Sequence, residues 1–194
     1  MQTIRNLVLA SSSPRRRELL STLGLSFSIA VSDVDETTPS NYTPTEIVES
    51  LAVRKAEKIA GEMTNALVLG SDTIVVLETQ VLGKPKDEAD AFRMLTMLQG
   101  REHTVYSGVA IVDAKTNRQE VSSSSTKVKI RPLLPEEIEA YIKTGEPMDK
   151  AGSYAIQGIG ATIVEGIEGD YFTVVGLPLL LTAQLLKRFD VKVL

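Results

Sequence analysis

The chain has 194 residues, a hydrophobic fraction of 43%, a charged fraction of 24% and a formal net charge of −4. That length suits one substantial core, or two lobes sharing a sheet, and leaves little room for two independent domains. A net negative charge argues against non-specific nucleic-acid binding, and the absence of cysteine excludes disulfides, thiolate metal sites and a cysteine nucleophile, as suits a reducing cytoplasm.

In chain order, Leu7–Ala10 reads as a short buried strand. Ser13 is a good N-cap and Pro14 fits the first helical position, where its missing N–H costs nothing. Leu19, Leu20 and Leu23 then recur at helical spacing. A strand over Leu25–Val31 and a polar loop through Tyr42 follow. Thr43 to Glu46 is a capping box that opens a helix running to about Met63. Ala66–Leu77 reads as a buried strand, with Val81–Leu82 as its hairpin return. Asp87–Leu98 is a helix stopped by Gly100. His103–Asp113 and Glu120–Ile130 are two long strands joined at Lys115–Asn117. Pro135–Lys143 is a helix, and a glycine-containing loop follows to Gly160. Ala161–Ile167 and Tyr171–Val175 are expected to pair as a hairpin across Glu168–Asp170, and Pro178–Phe189 closes as a helix. Strands that alternate with helices early and pair as hairpins later predict an α/β fold around a mixed sheet, with residues 1–194 as one domain. The first apolar run is too short for a signal peptide, and Gly176, Pro178 and Gln184 interrupt Val174–Leu186. No targeting or membrane-spanning segment is expected.

Several polar residues sit where other types belong. A helix N-terminus carries about +0.5 elementary charge and favours acids, yet Arg15, Arg16 and Arg17 crowd this one. Arg15 and Arg16 lie one turn before Leu19 and Leu20, so both lean inward. With the Ser13 hydroxyl and the exposed N–H groups they make a site for a polyanion, most simply phosphates, unless they form a solvated basic turn paired with Glu18 or a distant acid. Asp72 lies at the centre of an apolar strand, where a carboxylate needs a cation, a metal or hydrogen bonds to stay ionised, unless the strand ends at Leu69 and Asp72 caps a turn. Lys55 falls in the helical stripe Ile47, Leu51, Ile59, so it either snorkels outward or reaches an internal anion. Gly83 and Pro85 bracket Lys84 and aim its ammonium, unless it is an ordinary hairpin exit. Asp33, Asp35 and Glu36 are oxygen donors of the kind Mg²⁺ takes, or a solvated acidic loop; Glu146 and Asp149 are weaker candidates for the same service. The lone His103 has no second histidine with which to build a triad and is expected to be structural.

Four segments, SSSPRRRELL, GSDTIVV, LGKPKD and GEPMDKAGSYAIQG, resemble in order and spacing the signature segments of the Maf family. These are nucleoside-triphosphate pyrophosphatases historically linked to septum formation. The resemblance covers essentially the whole chain. It implies a cytoplasmic homodimer with an elongated mixed sheet flanked by helices and a cleft between two lobes, similar in fold to inosine-triphosphate pyrophosphatases. It further implies hydrolysis between the α- and β-phosphates, with Mg²⁺ or Mn²⁺, to a monophosphate and pyrophosphate, in nucleotide-pool sanitation.

Carried onto this sequence, Asp72 matches the family's proton acceptor. Arg15 and Arg16 match its phosphate-binding arginines, and Lys55 and Lys84 its two lysines. Glu36 matches an acid near the metal and, with Asp72, is the expected metal ligand. Arg15, Thr73 and Gln157 match the positions associated with nucleotide choice. AGSYAIQG looks like the branch acting on dTTP and UTP, and on modified pyrimidine nucleotides, rather than the one preferring 7-methyl-GTP. A competing reading is a non-catalytic nucleotide sensor that regulates septum formation. A different acidic phosphotransferase or a nucleic-acid module is opposed by the net charge, the absence of a Walker-type glycine loop and only five Tyr and four Phe.

Overall fold

A computed structural model describes residues 6–194; the first five residues of the expected 1–194 domain lie outside it. The elements are β1 (Asn6–Ala10), α1 (Pro14–Ser21), β2 (Phe27–Ala30), α2 (Pro44–Ala60), β3 (Ala66–Leu77), β4 (Gln80–Leu82), α3 (Glu88–Leu98), β5 (Glu102–Asp113), β6 (Gln119–Ile130), α4 (Pro135–Lys143), β7 (Val164–Glu168), α5 (Tyr171–Val175) and α6 (Leu179–Lys187). Short 3₁₀ turns occupy Glu146–Asp149, Ala151–Ser153 and Gly158–Thr162. The strands form one sheet in the order β2-β1-β3-β5-β6-β7, with β4 on β3. It is mixed: β1 runs parallel to β2 and β3, with Leu7 opposite Phe27 and Leu67. β4 and β7 run antiparallel to β3 and β6.

The chain divides into two compact units. One runs to Asp72 and takes in Ser107–Ser124 and Gly176–Leu194. Its core joins Val8, Val68, Ala110 and Val112 from the sheet to Ala52, Ala56 and Ile59 of α2. Ala52, Ala56 and Ala60, small residues at i, i+4 and i+8 on α2, let the helix lie close to the strands. Gly70 completes the fit, because a Cβ there would stand 2.2 Å from the Ala52 carbonyl oxygen. The backbone that Gly70 admits is therefore that of α2, the helix carrying Lys55. The second unit comprises Thr73–Tyr106 and Ser125–Val175. Its core is built on larger side chains, among them Leu82, Leu95, Leu98, Ile130, Ile138 and Tyr141. Each fully buried leucine there contributes about 2 kcal/mol of transfer free energy.

The expected final hairpin does not form. The strand is Val164–Glu168 and pairs with β6, Lys127 opposite Glu168, while Tyr171–Val175 is a helical turn. β-propensity in YFTVV loses to a cap: the Asp170 carboxylate accepts from Thr173 N at 2.7 Å and from Thr173 Oγ1 at 2.8 Å. α2 also stops at Ala60, with Gly61 as its C-cap, short of the expected Met63.

His103 is buried, and its Nε2 stands 2.7 Å from the Tyr154 hydroxyl. Burial pushes its pKa from 6.5 down to about 4. The folded state therefore holds the ring neutral while the unfolded chain protonates it near pH 6.5. Stability should fall as pH drops from about 6.5 toward about 4, by about 1.4 kcal/mol per unit. Urea unfolding at pH 7 and pH 5 measures this. His103→Asn should flatten the difference, and an unchanged slope would remove His103 as its source.

Candidate active site

The first turn of α1 contains no acid. Ser13 caps the helix, its Oγ accepting from Arg16 N at 3.4 Å, and the buried Ser11 hydroxyl accepts from Ser13 N at 3.1 Å. Arg15 and Arg16 are half-buried and Arg17 is exposed. Arg16 is held through two of its guanidinium nitrogens: Nε donates to the Gly176 carbonyl at 2.9 Å and Nη1 to Ser11 Oγ at 3.5 Å. Ser71 Oγ donates to the same carbonyl at 3.0 Å, so one acceptor joins β3, α1 and the segment before α6. Tethering Nε and Nη1 fixes the plane of the guanidinium fork, the geometry that recognises an oxyanion. Burial lowers the Arg16 pKa, as does the Arg15 charge, while Asp72 and Glu36 raise it; the guanidinium stays charged throughout.

β3 continues through Asp72, which is 7% exposed. Its Oδ1 accepts from Lys55 Nζ at 2.5 Å, and the same ammonium lies 2.8 Å from Glu36 Oε1. Of the two fates open to Lys55, the structure shows the internal one. Arg54 sets the third corner: its Nη1 donates to the carbonyls on either side of Glu36, Asp35 O at 2.9 Å and Thr37 O at 2.7 Å. Asp35 itself caps the loop, accepting from Thr37 N at 2.8 Å. The Asp72 carboxyl is raised above its ordinary value; burial is the largest cause, opposed by Lys55 and Arg16, and Glu36 adds repulsion. A carboxylate so placed is a stronger base than one in water.

Among the described residues no group of three or more His, Asp or Glu side chains gathers as a metal centre. The donor chemistry nevertheless suits Mg²⁺ or Mn²⁺. Asp72 and Glu36 present hard oxygens to one cation, the Lys55 ammonium, and Mg²⁺ commonly takes one or two carboxylates and completes its shell with water and substrate phosphate.

Thr73, Lys84 and Gln157 belong to the second unit. Thr73 follows Asp72 on β3. Lys84 is exposed, on a segment pinned where Gly83 O accepts from Gly152 N at 3.0 Å. Gln157 is half-buried and makes no capping bond to the 3₁₀ turn it precedes. Glu146 and Asp149 are engaged elsewhere, Glu146 with the backbone of that turn and Asp149 with Lys150. Sequence reasoning missed Ser11, Arg54, Ser71 and Gly176. Ser71 carried a signal, as a second polar residue in the buried part of β3; the carbonyl of Gly176 carried none.

The family model described as "Maf-like protein" matches residues 6–189. The dTTP/UTP pyrophosphatase of Moorella thermoacetica is 56% identical over 96% of each chain. The dTTP/UTP pyrophosphatase of Pelotomaculum thermopropionicum is 52% identical over 98% of this chain and 100% of its own. The structure of the Staphylococcus aureus Ham1 protein superposes with a TM-score of 0.51 at 15% identity, covering 82% of this chain and 80% of that one, a likeness of fold alone.

Proposed function

The chain belongs to the Maf family, and from that premise we propose that it hydrolyses dTTP and UTP to the monophosphate and pyrophosphate. The observation that carries this reading is the cluster of Lys55, Asp72 and Glu36 beside the tethered Arg16. Cleaving a phosphoanhydride requires charge neutralised on the phosphates and an oriented water. Arg15 and Arg16 bind the phosphate oxygens at the tip of α1, with Ser13 and the positive end of the helix. Lys55 and Lys84 add positive charge. Asp72, its affinity for a proton raised by burial, accepts one from the attacking water. Asp72 and Glu36 would hold a divalent cation, which when bound neutralises phosphate charge.

Thr73, Arg15 and Gln157 select the base. A glutamine amide offers one donor and one acceptor, matching the adjacent O4 and N3–H of thymine or uracil. Modified pyrimidines that keep this edge fit the same site, and pool sanitation follows from hydrolysing them. The same reading takes the chain as one domain and a cytoplasmic homodimer. No described helix is long and apolar enough to cross a membrane.

The test is hydrolysis of dTTP, UTP, CTP, GTP and 7-methyl-GTP with product identification, in Mg²⁺, in Mn²⁺ and in excess EDTA. Pyrophosphate released from dTTP and UTP, and turnover lost in EDTA, is expected. Release of orthophosphate, or binding without turnover, would reject the pyrophosphatase. Gln157→Ala should erase the pyrimidine preference, by tenfold or more where a specific hydrogen-bonding edge is lost (~1.4 kcal/mol per decade).

A further inference from the structure

We propose that Glu146 is the positioning residue that holds the Gln157 loop in its selecting conformation, an inference that rests on the assignment of base selection to Gln157. Glu146 stands just past α4, and its backbone carbonyl accepts from Lys150 Nζ at 2.5 Å. Its carboxylate reaches across to the loop. Oε1 accepts from Gly160 N at 2.8 Å and from the Tyr141 hydroxyl at 2.8 Å, and Oε2 accepts from Ile159 N at 3.0 Å. The Tyr141 oxygen in turn accepts from Ala155 N at 3.1 Å. Backbone N–H groups on both sides of Gln157 are thus gathered onto one carboxylate and the hydroxyl bound to it.

The loop sequence is shaped to this anchor. A Cβ on Gly158 would stand 2.4 Å from Glu146 Oε2, and one on Gly160 would stand 2.2 Å from Ala155 O and 2.5 Å from the Tyr141 hydroxyl. Gly158 also takes a φ of +64°, a region that side chains disfavour. Partial burial pushes the Glu146 carboxyl up. The hydrogen bonds from Gly160, Tyr141 and Ile159, with the Lys150 charge, outweigh it and hold the group below its ordinary value. Gln157, caught between the anchored segments, spends no side-chain bond on capping the turn. Its amide remains available while its backbone is fixed, the condition for rejecting a base with the reversed donor and acceptor pattern.

Glu146→Gln keeps the shape but replaces one acceptor oxygen with an NH₂ group, which cannot receive an N–H. In this variant the dTTP-over-GTP ratio of kcat/KM is expected to fall about tenfold, through KM for dTTP more than through kcat. Hydrogen exchange at Ile159 and Gly160 should quicken about tenfold, with α3 unchanged. Glu146→Asp, which retains both acceptors, should recover part of the ratio. Wild-type selectivity in Glu146→Gln, whether or not exchange quickens, overturns the proposal. Should Glu146→Gln fail to fold, Tyr141→Phe releases Ala155 N and one carboxylate contact and must move the ratio in the same direction; an unmoved ratio overturns the proposal. Gln157→Ala in the same panel separates the two claims. Lost preference there with retention in Glu146→Gln removes the anchor alone, whereas a wild-type preference in Gln157→Ala removes the base-selecting assignment beneath it.

Discussion

Asp72→Asn should abolish hydrolysis, lowering kcat by several orders of magnitude while the protein stays folded. The carboxylate is buried and raised in pKa, so its ionised form is held in the fold at a cost that an amide of the same shape avoids. Asn keeps an oxygen for the Lys55 ammonium, now 2.5 Å from Asp72 Oδ1, and Glu36 remains as that lysine's second partner. The variant loses basicity toward water and half of the paired-carboxylate donor set for a metal. A non-hydrolysable triphosphate should therefore still bind, and thermal unfolding should shift little. In the wild type the acid limb of kcat/KM should titrate above the ordinary Asp value of 3.8, with activity rising as Asp72 loses its proton. Turnover by Asp72→Asn within tenfold of wild type would show that another group accepts the proton.

Arg16→Ala should lower kcat/KM by two orders of magnitude or more, at ~1.4 kcal/mol per decade. Arg16 brings a fixed charge to the tip of α1, where no acid offsets the helix end and a polyanion is the natural counter-charge. The cost to the fold should be small, about 1 kcal/mol, because Ser71 still donates to the Gly176 carbonyl when the arginine is gone. Arg16→Lys keeps the charge but cannot hold Gly176 and bind an oxyanion with the same fork, so it should recover only part of the loss. Lys84→Ala should fall in the same direction, from an exposed position with no effect on unfolding. Strong destabilisation of Arg16→Ala with near-normal turnover in the surviving protein would assign the arginine to the fold.

Features set by a few neighbouring residues were legible in the chain itself. The Ser13 and Thr43 caps, the apolar runs of β3 and β5, and the period of α2 each depend on contacts within one or two turns, and local sequence determines those. The anomalies were legible for the same reason. A lysine in an apolar helical stripe must snorkel or find an anion, and an aspartate inside an apolar strand needs a cation or hydrogen bonds; the fold answers both by bringing Lys55 to Asp72. Tyr171–Val175 shows the limit even locally, since β-propensity is a weak preference that one Asp170 cap reverses.

Partner identity across the chain was left to the tertiary structure. Arg16 finds its acceptor 160 positions away, in a backbone carbonyl that every residue type carries and no side chain marks. Arg54 grips the two carbonyls flanking Glu36, and so decides which acid of Asp33, Asp35 and Glu36 faces Lys55. Glu146 read as a spare metal ligand because its type allows it; the Glu146–Asp149 turn meets the Gly158–Thr162 turn and spends the carboxylate oxygens on backbone N–H groups instead. Composition and spacing determine which groups must be neutralised once buried. Only the folded backbone, through hydrogen bonds whose acceptors leave no trace in sequence, decides which partner does it.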